Sequence, residues 1–103
     1  MTALNRPDLE KLLGDAASVF AVLSAPIRLR ILSSLCHGEK NVGQLLTDVQ
    51  TTQPNMSQHL NLLYRAGLVR KRRDGVQIFY TIADQHIVQI CQAMCERVGT
   101  PLR

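Results

Sequence analysis

A short helix, a tight turn and a second helix at about residues 41–66, then two strands meeting at Asp74-Gly75 within about 68–82, predict a mainly α fold with a β-hairpin wing. That arrangement is a winged helix-turn-helix. Apolar residues at helical spacing before and after it give the full order helix, helix, helix, turn, helix, hairpin, helix. At 103 residues the chain has room for a single domain, 1–103, and little for a second core. Its apolar fraction of 46% and charged fraction of 19% suit a folded globular protein and argue against disorder. Aromatic residues are only 4%, so the core must be aliphatic, and a chain this small with such a core often gains stability by dimerising.

Each element has local reasons. Residues 8–22 place Leu9, Leu12, Leu13, Ala16, Val19 and Phe20 at helical spacing, with Asp8 and Glu10 at the end where the helix dipole favours acids. Ser24 and Pro26 signal the start of a second helix, Ile31, Leu32 and Leu35 form its stripe, and Gly38 stops it. Residues 41–49 form a short helix carrying Val42, Leu45, Leu46 and Val49. Thr52 can cap the next helix, and Pro54 falls in its first turn, where a missing N–H costs nothing. That helix runs to about Ala66, and Gly67 ends it. Val76, Ile78, Tyr80 and Ile82 alternate with polar Gln77 and Thr81 as a strand should, although Phe79 breaks the pattern. A last helix, about Asp84 to Val98, carries Ile87, Ile90, Met94 and Val98.

The charge is localised. The chain carries +4 with a pI near 9.3. Between Arg65 and Asp74 lie five basic residues and one acid, an excess equal to the charge of the whole chain. Such a concentration fits a phosphate-binding surface, whereas solubility alone would spread the charge. On a helical wheel for 53–66, Met56, Leu60 and Leu63 share the core face. Gln58, Asn61 and Arg65 point outward, Gln53, Asn55 and Ser57 cluster near the N-terminal end, and Leu62 blurs the outer side. Amides can pair with an adenine edge and hydroxyls accept several partners, so this end suits base reading. Arg70, Lys71, Arg72 and Arg73, in the first wing strand and at its turn, can hold phosphates without reading sequence. Taken separately, each set would pass for a solvated surface. Their adjacency within a helix-turn-helix and hairpin points to double-stranded DNA. His59 lies at the core-facing flank, where a packed histidine and a DNA contact are both open.

Other classes are disfavoured. No segment approaches the roughly 18 apolar residues of a membrane span, and the N-terminus lacks the order of a signal peptide. Three cysteines, an odd number without a secretion signal, suggest free thiols in a reducing cytoplasm. There is no Cys-x-x-Cys, nucleophile motif or Gly-rich phosphate loop to suggest an enzyme such as a thiol oxidoreductase. The remaining alternative is a winged helix used for protein contacts, with the basic run merely solvated.

Three stretches together, "VLSAPIRLRILSSL", "QPNMSQHLNLLYRAGLV" and "RRDGVQIFYTI", resemble the ArsR (ArsR/SmtB) family of bacterial winged-helix repressors over roughly residues 16–95. The resemblance implies a homodimer joined through the first and last helices, an inverted-repeat operator, and release of DNA when an inducer binds or a thiol reacts. Arsenic- and cadmium-type members often carry Cys-x-Cys where this chain has "EKNVGQLL", so that metal site is absent. Zinc-type members use Asp-x-His at the start of the last helix, and Asp84 and His86 match it. The partner positions near Arg97 and Thr100 cannot supply the usual His and acid.

For the signal, the thiols leave several readings open. Cys91 and Cys95 are one turn apart, about 6 Å at Cβ, too far for an unstrained disulfide within a regular helix. Soft metal or metalloid ions, arsenite included, suit thiolates. Both residues also share the apolar stripe of the last helix, where cysteine packs as a small hydrophobe. Resemblance adds a further option, since sulfide- and redox-responsive members pair a Cys of the second helix with one of the last. Cys36 stands about one turn after the first position and Cys95 about one turn before the second. That implies thiol modification linking Cys36 to Cys91 or Cys95, in place of a cofactor. His37, beside a helix-ending Gly, is expected to be solvated.

Overall fold

The computed structural model describes residues 5–99; residues 1–4 and 100–103, with the Thr100 position considered for zinc, lie outside that description. Its elements are α1 (Arg6–Leu23), α2 (Pro26–Leu35), β1 (Lys40–Asn41), α3 (Val42–Asp48), α4 (Gln53–Arg65), β2 (Val69–Asp74), β3 (Gln77–Ile82) and α5 (Gln85–Val98). The three strands form one antiparallel sheet in the order β1-β3-β2.

The helix boundaries follow from local chemistry. Asn5 starts α1 by accepting the Asp8 N–H at 3.0 Å, two residues earlier than the apolar spacing alone suggests. Ser24 closes α1 through its N–H to the Ala21 carbonyl instead of capping α2, whose N-cap is Ala25. The two helices meet at 88°. Asn41 and Gln44 cap α3 reciprocally, side chain to backbone in both directions. Thr52 Oγ1 accepts the Asn55 N–H to begin α4. The end of α4 uses Gly67 at φ 77°: its N–H reaches the Tyr64 carbonyl while Leu68 N–H reaches Leu63, satisfying two orphan carbonyls.

Two features depart from the sequence expectation. The register pairs Asp74 with Gln77, so the hairpin loop is Gly75-Val76 and not Asp74-Gly75. Gly75 has φ 64° at the first central position, the pattern of a type II′ turn, whereas a turn centred on Asp74-Gly75 would require positive φ at Asp74 as well. Val76 therefore leaves the strand and stands fully exposed at the wing tip. The second departure is β1, two residues too short to carry any alternation, which pairs Lys40 with Tyr80 and Asn41 with Phe79.

The core lies under the helix-turn-helix. Ile31, Leu32, Leu45, Met56, Leu60 and Leu63 are its most completely enclosed side chains. Leu68, Val69 and Tyr80 extend it beneath the sheet, and Leu23, Ile87 and Cys91 are what α1 and α5 contribute. Much of the apolar stripe on those two helices stays outside: Phe20 is 57% exposed and Met94 58%.

Candidate nucleic-acid interface

The polar face of α4 is built by subtraction. Burying Met56, Leu60 and Leu63 on one side leaves Gln53, Asn55, Ser57, Gln58, Asn61 and Arg65 exposed on the other. Leu62 is exposed among them, as the wheel indicates. The N-terminal end of α4 adjoins the wing tip: Gln53 shares a groove of about 330 Å³ with Asn41, Gly43, Val76, Gln77 and Ile78. Asn41 Nδ2 donates to Gln77 Oε1 at 2.9 Å, tying the start of α3 to the first residue of β3.

The basic run does not present a single face. Strand alternation and the register put Arg70 and Arg72 opposite Thr81 and Phe79, and Lys71 and Arg73 opposite Tyr80 and Ile78. Lys71 Nζ sits 4.2 Å from the Tyr64 ring centroid, which joins the wing to the last turn of α4. Arg72 differs from its neighbours. Its Nε and Nη2 donate to the two carboxylate oxygens of Glu39 at 2.8 and 2.6 Å, and its guanidinium lies over the Phe79 ring. The hydrogen bond from Arg72 holds the Glu39 carboxyl below its ordinary range. Among the four basic residues, then, Arg72 has its charge engaged within the fold, whereas Arg70, Lys71 and Arg73 form no ion pair among the described residues.

His59 is partly buried against α2 rather than standing in the polar face. Arg28 Nη1 lies 3.0 Å from His59 Nδ1, and Arg28 Nε donates to the Val22 carbonyl at 2.6 Å. Burial of the ring, reinforced by the Arg28 charge, lowers its pKa. Neither Arg28 nor Glu39 stands out in the sequence, because each finds its partner about thirty residues away. Tyr64 is equally silent: a tyrosine late in a helix carries no sign of the lysine that will lie over it.

The thiols lie away from the polar face. Cys91 is buried, Cys95 half-buried and Cys36 exposed. Cys91 and Cys95 line an almost wholly apolar groove of about 160 Å³ with Phe20, Leu29, Ile90 and Met94, where α1, α2 and α5 meet. Burial pushes the Cys36 and Cys91 thiols up, and Cys91 is raised further by the nearby Cys95 and Cys36 sulfurs.

Asp84 and His86 lie together at the start of α5. Asp84 is the N-cap of α5, and its Oδ1 accepts the His86 and Ile87 N–H groups at 2.9 and 3.3 Å. The His86 ring lies 3.6 Å from the same oxygen. Among the described residues, no three His, Cys, Asp or Glu side chains come together to hold a metal ion within one chain.

A helix-turn-helix whose second helix keeps an exposed polar face, with a cationic hairpin beside it, defines a winged helix-turn-helix transcriptional regulator. Residues 25–71 match the family model described as "Bacterial regulatory protein, arsR family". The chain is 35% identical over 91 residues to the biofilm growth-associated repressor of Xylella fastidiosa, an overlap covering 88% of this chain and 80% of that protein. In three dimensions it matches NolR from Sinorhizobium fredii with a TM-score of 0.83 at 34% identity, over 97% of this chain and 99% of the other. It also matches a homodimeric winged helix-turn-helix DNA-binding domain of Mycobacterium bovis, solved by NMR, with a TM-score of 0.79 at 30% identity, covering 95% and 90%. The chain belongs to the arsR family of bacterial regulatory proteins.

Proposed function

We propose that the chain is a sequence-specific repressor that acts in the cytoplasm as a homodimer on an inverted-repeat operator. Each copy lays α4 in the major groove, with Gln53, Asn55, Ser57, Gln58 and Asn61 at base edges and Arg65 toward the backbone. Arg70, Lys71 and Arg73 hold phosphates beside the groove, while Arg72 braces the wing through Glu39. The observation that carries this reading is the groove in which the N-terminal end of α4, Asn41 and the wing tip meet. It makes the amide face and the cationic hairpin parts of one surface.

Two copies meet, in this reading, through α1 and α5. The exposed Leu12, Leu13, Phe20, Met94 and Val98 on those helices are the kind of apolar surface that a second copy covers. Mycobacterium bovis supplies a homodimeric relative of the same shape.

The signal acts on Cys36, Cys91 and Cys95. The placement of Cys91 and Cys95 in one apolar groove against Phe20 of α1 supports a thiol-reactive signal that alters how α5 packs. Because Cys36 and Cys91 are held as thiols, their attack is slow at neutral pH and favours strongly electrophilic or oxidising species. A soft metalloid would need thiols from both copies, since one chain assembles no three-ligand site among its described residues.

The test is a titration of the region upstream of the protein's own coding sequence at several salt concentrations, with reduced and oxidised protein in parallel. Affinity should fall steeply with salt and be lost on oxidation. Equal binding in both states would remove the thiol switch and leave the repressor. Absence of binding in either state would return the protein-contact alternative.

A further inference from the structure

The recognition helix is tied to the corner between α1 and α2 by a single arginine. Arg28 lies in the first turn of α2. Its Nε donates to the carbonyl of Val22, in the last turn of α1, where a carbonyl has no partner further along its own helix. Its Nη1 reaches 3.0 Å to His59 Nδ1 in the middle of α4. A guanidinium only donates, so Nδ1 must accept and the ring proton must sit on Nε2. Both groups are partly buried, which makes a misplaced proton more costly than at the surface.

From this geometry we infer that Arg28 and His59 are positioning residues that set the angle of α4 against the dimer helix α1, and that neutral His59 is required for the DNA-binding shape. The inference rests on the proposed dimeric DNA-binding reading. In that dimer the two α4 helices must reach half-sites at a fixed spacing, so each α4 must be held at a fixed angle to its own α1. Leu60 and Leu63 pack α4 against the core. To that non-directional packing Arg28 adds a directional tie, from the α1–α2 corner to His59. The corner itself is a sharp one, at 88°, and Arg28 bonds to both sides of it.

Protonation provides the signature. An imidazolium cannot accept from Arg28 and carries a charge of the same sign beside it. The charged group acting on the ring is Arg28, and among the described residues no carboxylate of α2, α4 or any other element lies within ion-pair distance to offset it. Burial and Arg28 both lower the ring's pKa, so the bridge is intact above the ordinary histidine range and is lost as pH falls through the lowered value. A histidine that contacted a phosphate would behave oppositely, since its protonation would strengthen DNA binding. The sign of the pH effect therefore separates the two roles.

The full chain would be titrated with its upstream operator between pH 7.5 and 5 at constant salt, for the wild type, His59→Asn and Arg28→Ala. Wild-type affinity relative to His59→Asn should weaken on acidification, by up to about tenfold per pH unit for each of the two subunits below the ring's pKa. His59→Asn, whose Oδ1 keeps an acceptor at the place of Nδ1, should bind near wild-type affinity at pH 7.5 and lose that pH component; Arg28→Ala should bind weakly at every pH while still dimerising. In parallel, 15N NMR of the free protein should show the Nε2–H tautomer of His59 and a pKa below ordinary histidine. Tighter operator binding by the wild type at low pH, or an Nδ1–H tautomer, would overturn the inference while leaving the repressor intact. A wild type that binds no DNA at any pH overturns the functional reading and this inference with it.

Discussion

The two halves of this molecule treat their apolar residues in opposite ways. In the helix-turn-helix half, Leu45, Met56 and Leu63 are wholly enclosed, and every helix from α2 to α4 closes its stripe against the others. In the α1–α5 half, α1 buries Leu23 and α5 buries Ile87 and Cys91, while Phe20, Met94 and Val98 remain in solvent. An 18-residue helix that buries one residue within its own chain is unfinished as a piece of folded protein. One half is self-sufficient, and the other carries the apolar surface that the proposed dimer would cover. The lesson is that stability and assembly are assigned to different elements, so they can be broken separately.

The largest effect should come from the closed half. Leu63→Ala removes a side chain with no exposure, and should destabilise the chain by about 2–5 kcal/mol. Thermal or denaturant unfolding measures it, and the loss should persist at every protein concentration. A loss below about 1 kcal/mol would mean that the closed half is not where the stability resides.

The open half should respond through association. Phe20→Glu places a charge where the proposed dimer buries an aromatic ring, and should raise the dimer dissociation constant by at least about thirtyfold. Sedimentation of dilute protein would show monomer, with helix content retained at high concentration. An unchanged dimer would move the interface away from α1.

These contrasts were legible in the sequence to different depths. The helices were readable because their signals are local: Thr52, Pro54 and Gly67 bracket α4, and the core set Met56, Leu60 and Leu63 follows from period alone. The wing was readable as a hairpin but its turn was displaced by one residue, because Asp-Gly can supply either the last strand position and first turn position or both turn positions. The exposed polar face of α4 was equally plain, being what remains after the core is assigned. Long-range pairs were not legible. Nothing near Glu39 announces Arg72, and nothing near Arg28 announces His59. The three thiols could be placed on helices, yet their exposure, with Cys36 outside and Cys91 inside, depends on packing that periodicity alone does not resolve.

The division of the basic run gives a finer comparison within the wing. Arg73→Gln should lower the salt-dependence exponent of operator binding by about 2 per dimer, as expected for losing one phosphate contact from each subunit. Arg72→Gln should leave the exponent unchanged while weakening binding through a less rigid wing. Glu39→Gln, which releases Arg72 in both subunits, should raise the exponent by about 2. Acid is a second probe. Arg72 holds the Glu39 carboxyl low, so the pair is complete above the ordinary carboxylate range and is lost only as pH falls through the lowered value. The exponent should therefore stay constant on acidification from neutrality to the ordinary glutamate range and rise only below it. Equal exponents for Arg72→Gln and Arg73→Gln would show that Arg72 does reach DNA, and would erase the distinction.

The smallest effect lies at the start of α4. Thr52 accepts the Asn55 N–H and caps α4 at the end proposed to read bases. Thr52→Ala should cost about 1 kcal/mol of stability, leaving the dimer intact because the change is remote from α1 and α5. Its effect on operator binding should exceed its effect on non-specific DNA, since fraying of the first turn disturbs Gln53 and Asn55 but not the wing cations. Paired titrations with operator and scrambled duplex at one salt concentration would measure the ratio. An equal loss on both duplexes would mean that the start of α4 holds the backbone rather than the bases, and the assignment of sequence reading to that end would have to move toward Asn61 and Arg65.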